Sequence, residues 1–371
     1  MDKFSRKPLY ALVILMMTIL YSCQKDLKTT AIANEETATK SIPPQVLKDF
    51  TQVNLVGDND EYDPARIDPN LVNGWGIAFP TSGPAWVSAE GTGKSLVLNG
   101  DGTPVAISPV SIPGAGSSSV GHPTGQVFNP TSDFKLPNGN AARFIFAGAD
   151  GAISGWNGGA SAVRMINDPG DAYLGIAIAA DGGNNFLYVA NFSEGEIEVF
   201  DKNWAEVAGK EFDDPDLPEG YSPFNIQAID GKLYVMYAKV NPEEGEEEAG
   251  PGLGYVDIYN PDGSLMKRFI SNGQLNAPWG IAKAPAGFWG EGSSTSDVFL
   301  VGNFGDGHIN AYADNGNFLG QLRQHGAPIE IEGLWGIAFA PSTSTTINRN
   351  WLYFAAGPDD EEHGLFGYIK K

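Results

Sequence analysis

Trp335-Gly336-Ile337-Ala338-Phe339 is the last of a set of near-identical phrases. Trp75-Gly76-Ile77-Ala78-Phe79, Leu174-Gly175-Ile176-Ala177-Ile178 and Trp279-Gly280-Ile281-Ala282 repeat it, and Thr124-Gly125-Gln126-Val127-Phe128 and Phe224-Asn225-Ile226-Gln227-Ala228 are weaker copies. With the central glycine as register mark, the six fall at positions 76, 125, 175, 225, 280 and 336, at spacings of 49, 50, 50, 55 and 56 residues. A regular period of that size is the signature of a repeat architecture.

Each unit continues in the same way. A second apolar run follows the mark, for example Leu187-Tyr188-Val189 or Leu352-Tyr353-Phe354, and a third follows a polar turn, for example Ile197-Glu198-Val199-Phe200 or Tyr255-Val256-Asp257-Ile258-Tyr259. Alternation and β-branched or aromatic content make these strands. The pairs Asp101-Gly102, Asp262-Gly263 and Asn315-Gly316 then supply the positive φ of tight hairpin turns. A fourth run, such as Met266-Lys267-Arg268-Phe269-Ile270, completes four strands per unit, but the sixth unit lacks it. Gln52-Val53-Asn54-Leu55-Val56, ahead of the first mark, is the missing piece. The expected fold is all-β: a six-bladed β-propeller over residues 50–371, with four antiparallel strands per blade and the last blade closed by the N-terminal strand, which removes an open edge.

The phrase "Gly-Ile-Ala, then Leu-Tyr-Val-Ala-Asn, then Ile-x-Val-Phe-Asp" resembles NHL-type propellers across roughly residues 51–371, and the whole chain resembles a family of secreted bacterial propellers of this kind. That resemblance implies the fold and no particular activity.

The amino-terminal segment implies an address. Lys3, Arg6 and Lys7 precede an apolar run from Leu9 to Leu20, as in a signal peptide over residues 1–22. Leu20-Tyr21-Ser22-Cys23 resembles a bacterial lipobox, which implies cleavage before Cys23 and its lipidation. Gln24-Lys25-Asp26 resembles the surface-export signal of Bacteroidetes lipoproteins, which implies the outer face of the outer membrane. Residues 23–49, polar and without apolar periodicity, read as the lipidated cysteine and a flexible tether. Cys23 is the single cysteine, so no disulfide forms within the chain.

A net charge of −22 disfavours nucleic acid and anionic lipid surfaces, so membrane contact is expected through the lipid anchor only. It leaves cations and cationic partners open. No nucleophile elbow, zinc-binding His-Glu-x-x-His, phosphate loop or dinucleotide fingerprint is present.

Strand order places the segments before each mark and after each second strand around one mouth of the channel. Asn73, His122, Asp171, Ser222, Asn276 and Glu332 stand before the marks, and Glu90, Asp150, Asn191, Lys239, Asn303 and Asp359 after the second strands. Such an acidic ring suits a hard cation such as calcium, or else its members cap loops. His122 with Asp171 or Glu332 offers acid–base chemistry. The gluconolactonase and regucalcin-like propellers carry Asn or Asp metal ligands just before the mark glycine. Here those positions hold Trp75, Thr124, Leu174, Phe224, Trp279 and Trp335, a departure that argues against the lactonase site. Trp75, Phe224, Trp279 and Trp335 either ring the mouth, offering faces to sugars or cations, or pack between blades. The acidic run from Asn241 to Glu248 reads as a solvated, mobile loop on the same face.

Two functions follow. The first is a surface-anchored, non-catalytic binding or scaffold module for a small-molecule, glycan or protein ligand at the mouth, through Asn73, Trp75, His122, Asp171, Phe224, Asn276, Trp279, Glu332 and Trp335. The second is a metal-dependent hydrolase or lyase that uses the acidic ring.

Overall fold

The computed structural model describes residues 44–290, 293, 295 and 297–371. The signal peptide, Cys23 and most of the tether lie outside the described residues.

Six sheets are arranged as blades, each with its innermost strand beginning at the repeated phrase. Blade one comprises Gly74–Ala78, Ala85–Ala89, Lys94–Leu98 and Val110–Ser111, in sheet order. In blade six, Leu334–Phe339, Leu352–Ala356 and Leu365–Lys370 are completed by Thr51–Gly57, which pairs antiparallel to Leu365–Lys370. The closure expected from Gln52–Val56 is therefore present, and it joins both ends of the propeller in one blade. Blade three departs from the pattern. It has three regular strands, Tyr173–Asp181, Asn184–Asn191 and Glu196–Asp201, and its fourth segment touches the sheet through the single bridge Phe200↔Glu206.

The marks repeat for a steric reason. A Cβ on Gly76 would lie 2.6 Å from the Thr124 carbonyl oxygen, and one on Gly336 would lie 2.4 Å from that of Trp75. Each mark glycine abuts the inner strand of the following blade, and Gly336 abuts the first, so the ring closes through backbone contact. At the one mark without glycine, Asn225 donates from Nδ2 to the Trp279 carbonyl at 2.8 Å and spans the same junction by a hydrogen bond.

Blades are covered on both faces, so strands such as Ala85–Ala89 and Ala152–Trp156 are buried at every position. The apolar interior consists of seams between neighbouring blades. Trp86 of blade one stacks on Phe144 of blade two at 3.9 Å, and Tyr234 of blade four on Phe299 of blade five at 5.2 Å. A further cluster lies at the centre, where the inner strands face one another.

Candidate functional site at the channel mouth

In all six blades the pairing of the inner two strands slips at the residue before the mark. The register skips from Tyr173 to Gly175, Pro223 to Asn225 and Pro278 to Gly280 in blades three to five. It skips across the same position in blades one, two and six. A β-bulge re-aims the side chain it carries. Here it turns Trp75, Leu174, Phe224, Trp279 and Trp335 onto one another in the central cluster. Trp335 stacks on Trp75 at 3.4 Å and on Phe304 at 4.0 Å, meets Trp279 edge-on at 6.0 Å, and lies 5.6 Å from Phe224. The residues before the marks thus neither ring the mouth with open faces nor pack between blades. They plug the channel, because five of the six are large apolar groups turned inward by one repeated bulge.

Above the plug opens a pocket of about 710 Å³. Below it the channel narrows to about 20 Å³, lined by the inner strands themselves. The molecule therefore has one roomy mouth, on the side expected from the strand order.

The pocket wall is built around Asn73. Its side chain is buried, and its backbone sits at φ 49, a left-handed conformation that asparagine tolerates. Asn73 Oδ1 accepts from the indole N–H of Trp335 at 3.2 Å. That contact fixes the amide orientation, so Nδ2 donates to Glu361 Oε2 at 2.5 Å and Glu90 Oε2 at 3.0 Å. His122 Nδ1 lies 2.5 Å from the other Glu90 oxygen and donates to it. One hydrogen-bonded chain therefore runs from the plug through Asn73 to two carboxylates and an exposed imidazole.

Glu361 reaches this position from a strained turn. Asp359, Asp360 and Glu361 have φ of 56, 49 and 67, one left-handed turn in succession, at roughly 1–2 kcal/mol per residue. Strain of this kind persists only where the surroundings hold it, and it collects at functional sites. Glu361 N–H donates to Gly357 O at 3.2 Å and Glu362 N–H to Asp359 O at 3.0 Å within the turn.

Blade four supplies the remaining wall. The acidic run expected as a solvated, mobile loop is folded back: Glu247–Glu248 pairs with Lys239 and Val240, and Glu246 and Glu247 enter the pocket lining. Burial pushes the Glu247 carboxyl up to about 8, with the charges of Glu361 and Glu246 acting in the same direction. Burial also raises Glu361, to about 7, with Glu90, Glu246 and Asp360 adding to the rise and the Asn73 hydrogen bond opposing it.

Of the residues singled out in the sequence, Trp75, Glu90, Leu174, Glu332 and Trp335 line this pocket. Asn73 stands behind its wall and His122 on its rim. Phe224 is buried in the plug, and Trp279 lies in the plug at the head of the narrow lower channel. Asp171 and Asn276 serve the loops. Asp171 Oδ2 accepts from the Tyr173 hydroxyl at 3.1 Å, and Asn276 Oδ1 accepts from the Gly250 N–H at 2.6 Å. Asn191, Asp150 and Asn303 likewise bond to neighbouring backbone or side chains rather than facing a common centre. Among the described residues, no group of three or more His, Cys, Asp or Glu side chains is gathered to hold a metal ion.

No protein-family model matches the chain. Among solved structures it resembles virginiamycin B lyase from Staphylococcus aureus, with a TM-score of 0.50 and 13% identity over 87% of this chain and 99% of that one. A streptogramin B lyase structure gives the same TM-score and identity over 86% and 97%. At such identity the likeness concerns the fold alone, and it supports the six-bladed propeller. Among curated proteins, uncharacterized protein L690 of Acanthamoeba polyphaga mimivirus is 33% identical over 338 residues, 86% of this chain and 86% of the relative. Uncharacterized protein R648 of the same virus is 32% identical over 336 residues, 86% and 80%. These relatives are viral, so the resemblance to bacterial lipoproteins rests on the amino-terminal residues alone. By extent and identity of the match, the chain belongs to the family of mimivirus proteins L690 and R648.

Proposed function

We propose that this protein is a non-catalytic binding module whose working surface is the plugged channel mouth, held at the cell surface by lipid on Cys23. The observation that carries the reading is the mouth pocket itself. It has the size of a small-molecule site, its wall is wired to the plug through Asn73, and a strained turn holds Glu361 in place. Rigid closed folds present ligands in such mouths. The faces of Trp335 are already covered by Trp75 and Phe304, so Trp335 offers no open face to a sugar ring.

Ala249 is exposed and lines the pocket, so Ala249→Trp fills the mouth without disturbing the seams. Ligand-observed NMR with a chemically broad collection is expected to find binders of the wild type that this variant loses. If no binder is sensitive to the occlusion, or if the purified protein turns over the binders, the reading fails. The anchor is tested separately: Cys23→Ser is expected to move the protein out of the membrane fraction and abolish acyl labelling. Unchanged membrane association would refute it.

A further inference from the structure

We infer that the mouth pocket takes an organic cation, a protonated amine or guanidinium carried on an apolar body. The inference rests on the mouth being the working surface and names the ligand class for it.

Charge within the pocket is one-sided. Glu90 of blade one, Glu246 and Glu247 of blade four, and Glu332, Asp360 and Glu361 of blade six line it, and no lysine, arginine or histidine does. The basic groups of the wall elements are engaged at the edge of the lining or outside it: His122 with Glu90 at the rim, Lys239 with Glu248, and His363 with Asp58 and Asp359. Burial, with the neighbouring acids adding to it, holds protons on Glu247 and Glu361, neither of which has a basic partner among the described residues. A cation would replace those protons.

Blades two, three and five supply apolar lining: Ala149 from blade two, Ala172, Leu174 and Phe192 from blade three, and Phe304 from blade five. Acids and hydrocarbon lining one pocket match a ligand with a charged head and an apolar body. Bare metal ions fit poorly, since the volume is that of a molecule and the acids are not gathered into a coordination shell. An independent sign of an occupant comes from the floor. Trp75 is 6% exposed and lines the pocket, yet its indole N–H has no hydrogen-bond partner among the described residues. A buried donor left unpaired is costly, and a ligand hydroxyl or carbonyl would satisfy it once the plug rings shift to expose the N–H, which is shielded in this structure.

The probe is cyclohexylmethylamine, compared with cyclohexylmethanol and cyclohexanecarboxylate by calorimetry at pH 8 on the full propeller. The amine is expected to bind about tenfold or more tightly than the alcohol, as a charge-assisted hydrogen bond implies, and the carboxylate not at all. Titrations at pH 7.5 in buffers of different ionisation heat are expected to show proton release, because the cation displaces protons from Glu247 and Glu361. These carboxyls face Glu246 on the blade-four loop, Glu90 on blade one and Asp360 on the blade-six turn, all acidic, so amine affinity is expected to rise from pH 6 to pH 8.5. Glu247→Gln is expected to weaken the amine about fivefold while leaving the alcohol unchanged. Alcohol binding equal to the amine, and lost in Ala249→Trp, would overturn the cation assignment and leave the mouth as the working surface. Amine binding that survives Ala249→Trp would place the cation elsewhere on an acidic surface and overturn the inference. Failure of all three probes to bind would also overturn it, as would a lysine-rich peptide binding where the free amine does not.

Discussion

Replacing Trp335 with alanine tests whether the plug is a structural hub or a loose filling. The ring is 1% exposed, is stacked on Trp75 and Phe304, and touches Trp279 and Phe224. Truncating a buried tryptophan costs about 3–5 kcal/mol. Loss of its N–H also leaves the buried Asn73 Oδ1 without its donor, a further ~1–3 kcal/mol. An unfolding entropy of ~2.1 cal/mol/K per residue sums over the propeller to roughly 0.7 kcal/mol/K, so the midpoint is expected to fall by about 6–11 °C. Trp335→Phe keeps most of the packing and removes the N–H, so its fall should be about 1.5–4 °C. Calorimetry or circular-dichroism melts of both variants at one pH separate the two contributions. A fall of less than about 3 °C for Trp335→Ala would show that the side chains around it close the gap, and would refute the hub.

Three further outcomes follow from the same geometry. Gly336→Ala would bring a Cβ within 2.4 Å of the Trp75 carbonyl oxygen; a cost of about 1–3 kcal/mol is expected to lower the melting midpoint, and an unchanged midpoint would show that blades one and six are not in tight contact. Glu247 and Glu361 have folded pKa values of about 8 and about 7, above the unfolded range, so the folded state holds the extra protons. Stability is then expected to fall as pH rises from about 4.5 through 8, and Glu247→Gln should flatten that fall in melts between pH 5 and pH 9; a variant curve parallel to the wild type would remove the assignment. Dialysis against EDTA is expected to leave the midpoint unchanged, and calcium to raise it no more than sodium chloride of equal ionic strength; a specific rise would restore the metal-dependent reading.

The ring was legible in the sequence because its cause is local and repeated. Each mark must be small where one inner strand crosses close to the next, so Gly76, Gly125, Gly175, Gly280 and Gly336 recur at a near-constant interval. The absence of a fourth run after Leu365–Lys370 likewise pointed to its replacement near residue 52. The bulge was not legible, since a slip in pairing between Gly74 and Ile77 leaves no mark in the composition; hence Trp335 and its equivalents had two open placements and took a third. The contact of Asn73 with Glu361 joins residues 288 apart, and it depends on Asp359-Asp360-Glu361 adopting a left-handed turn that no glycine announces. Glu247 was hidden for a different reason. Acidic runs usually stay in solvent, and only the pairing of Glu247–Glu248 with Lys239 and Val240 folds this one over the mouth.

These features bear on one another. Because the bulge turns large apolar residues inward at five of six blades, the channel does not run through the molecule, and a ligand at the mouth cannot leave by the far side. Because Trp335 donates to Asn73, the amide that holds Glu90 and Glu361 is set by the plug and not by the loops. Anything that shifts the carboxylates therefore pulls on the buried Trp335 ring of the hub, and anything that loosens the hub releases the carboxylates. A binder at the mouth should then stiffen the propeller as a whole. Its effect on melting, which by mass action grows with ligand concentration over Kd, should be strongest in the wild type and shrink in Trp335→Phe, where the hydrogen bond joining wall to plug is gone.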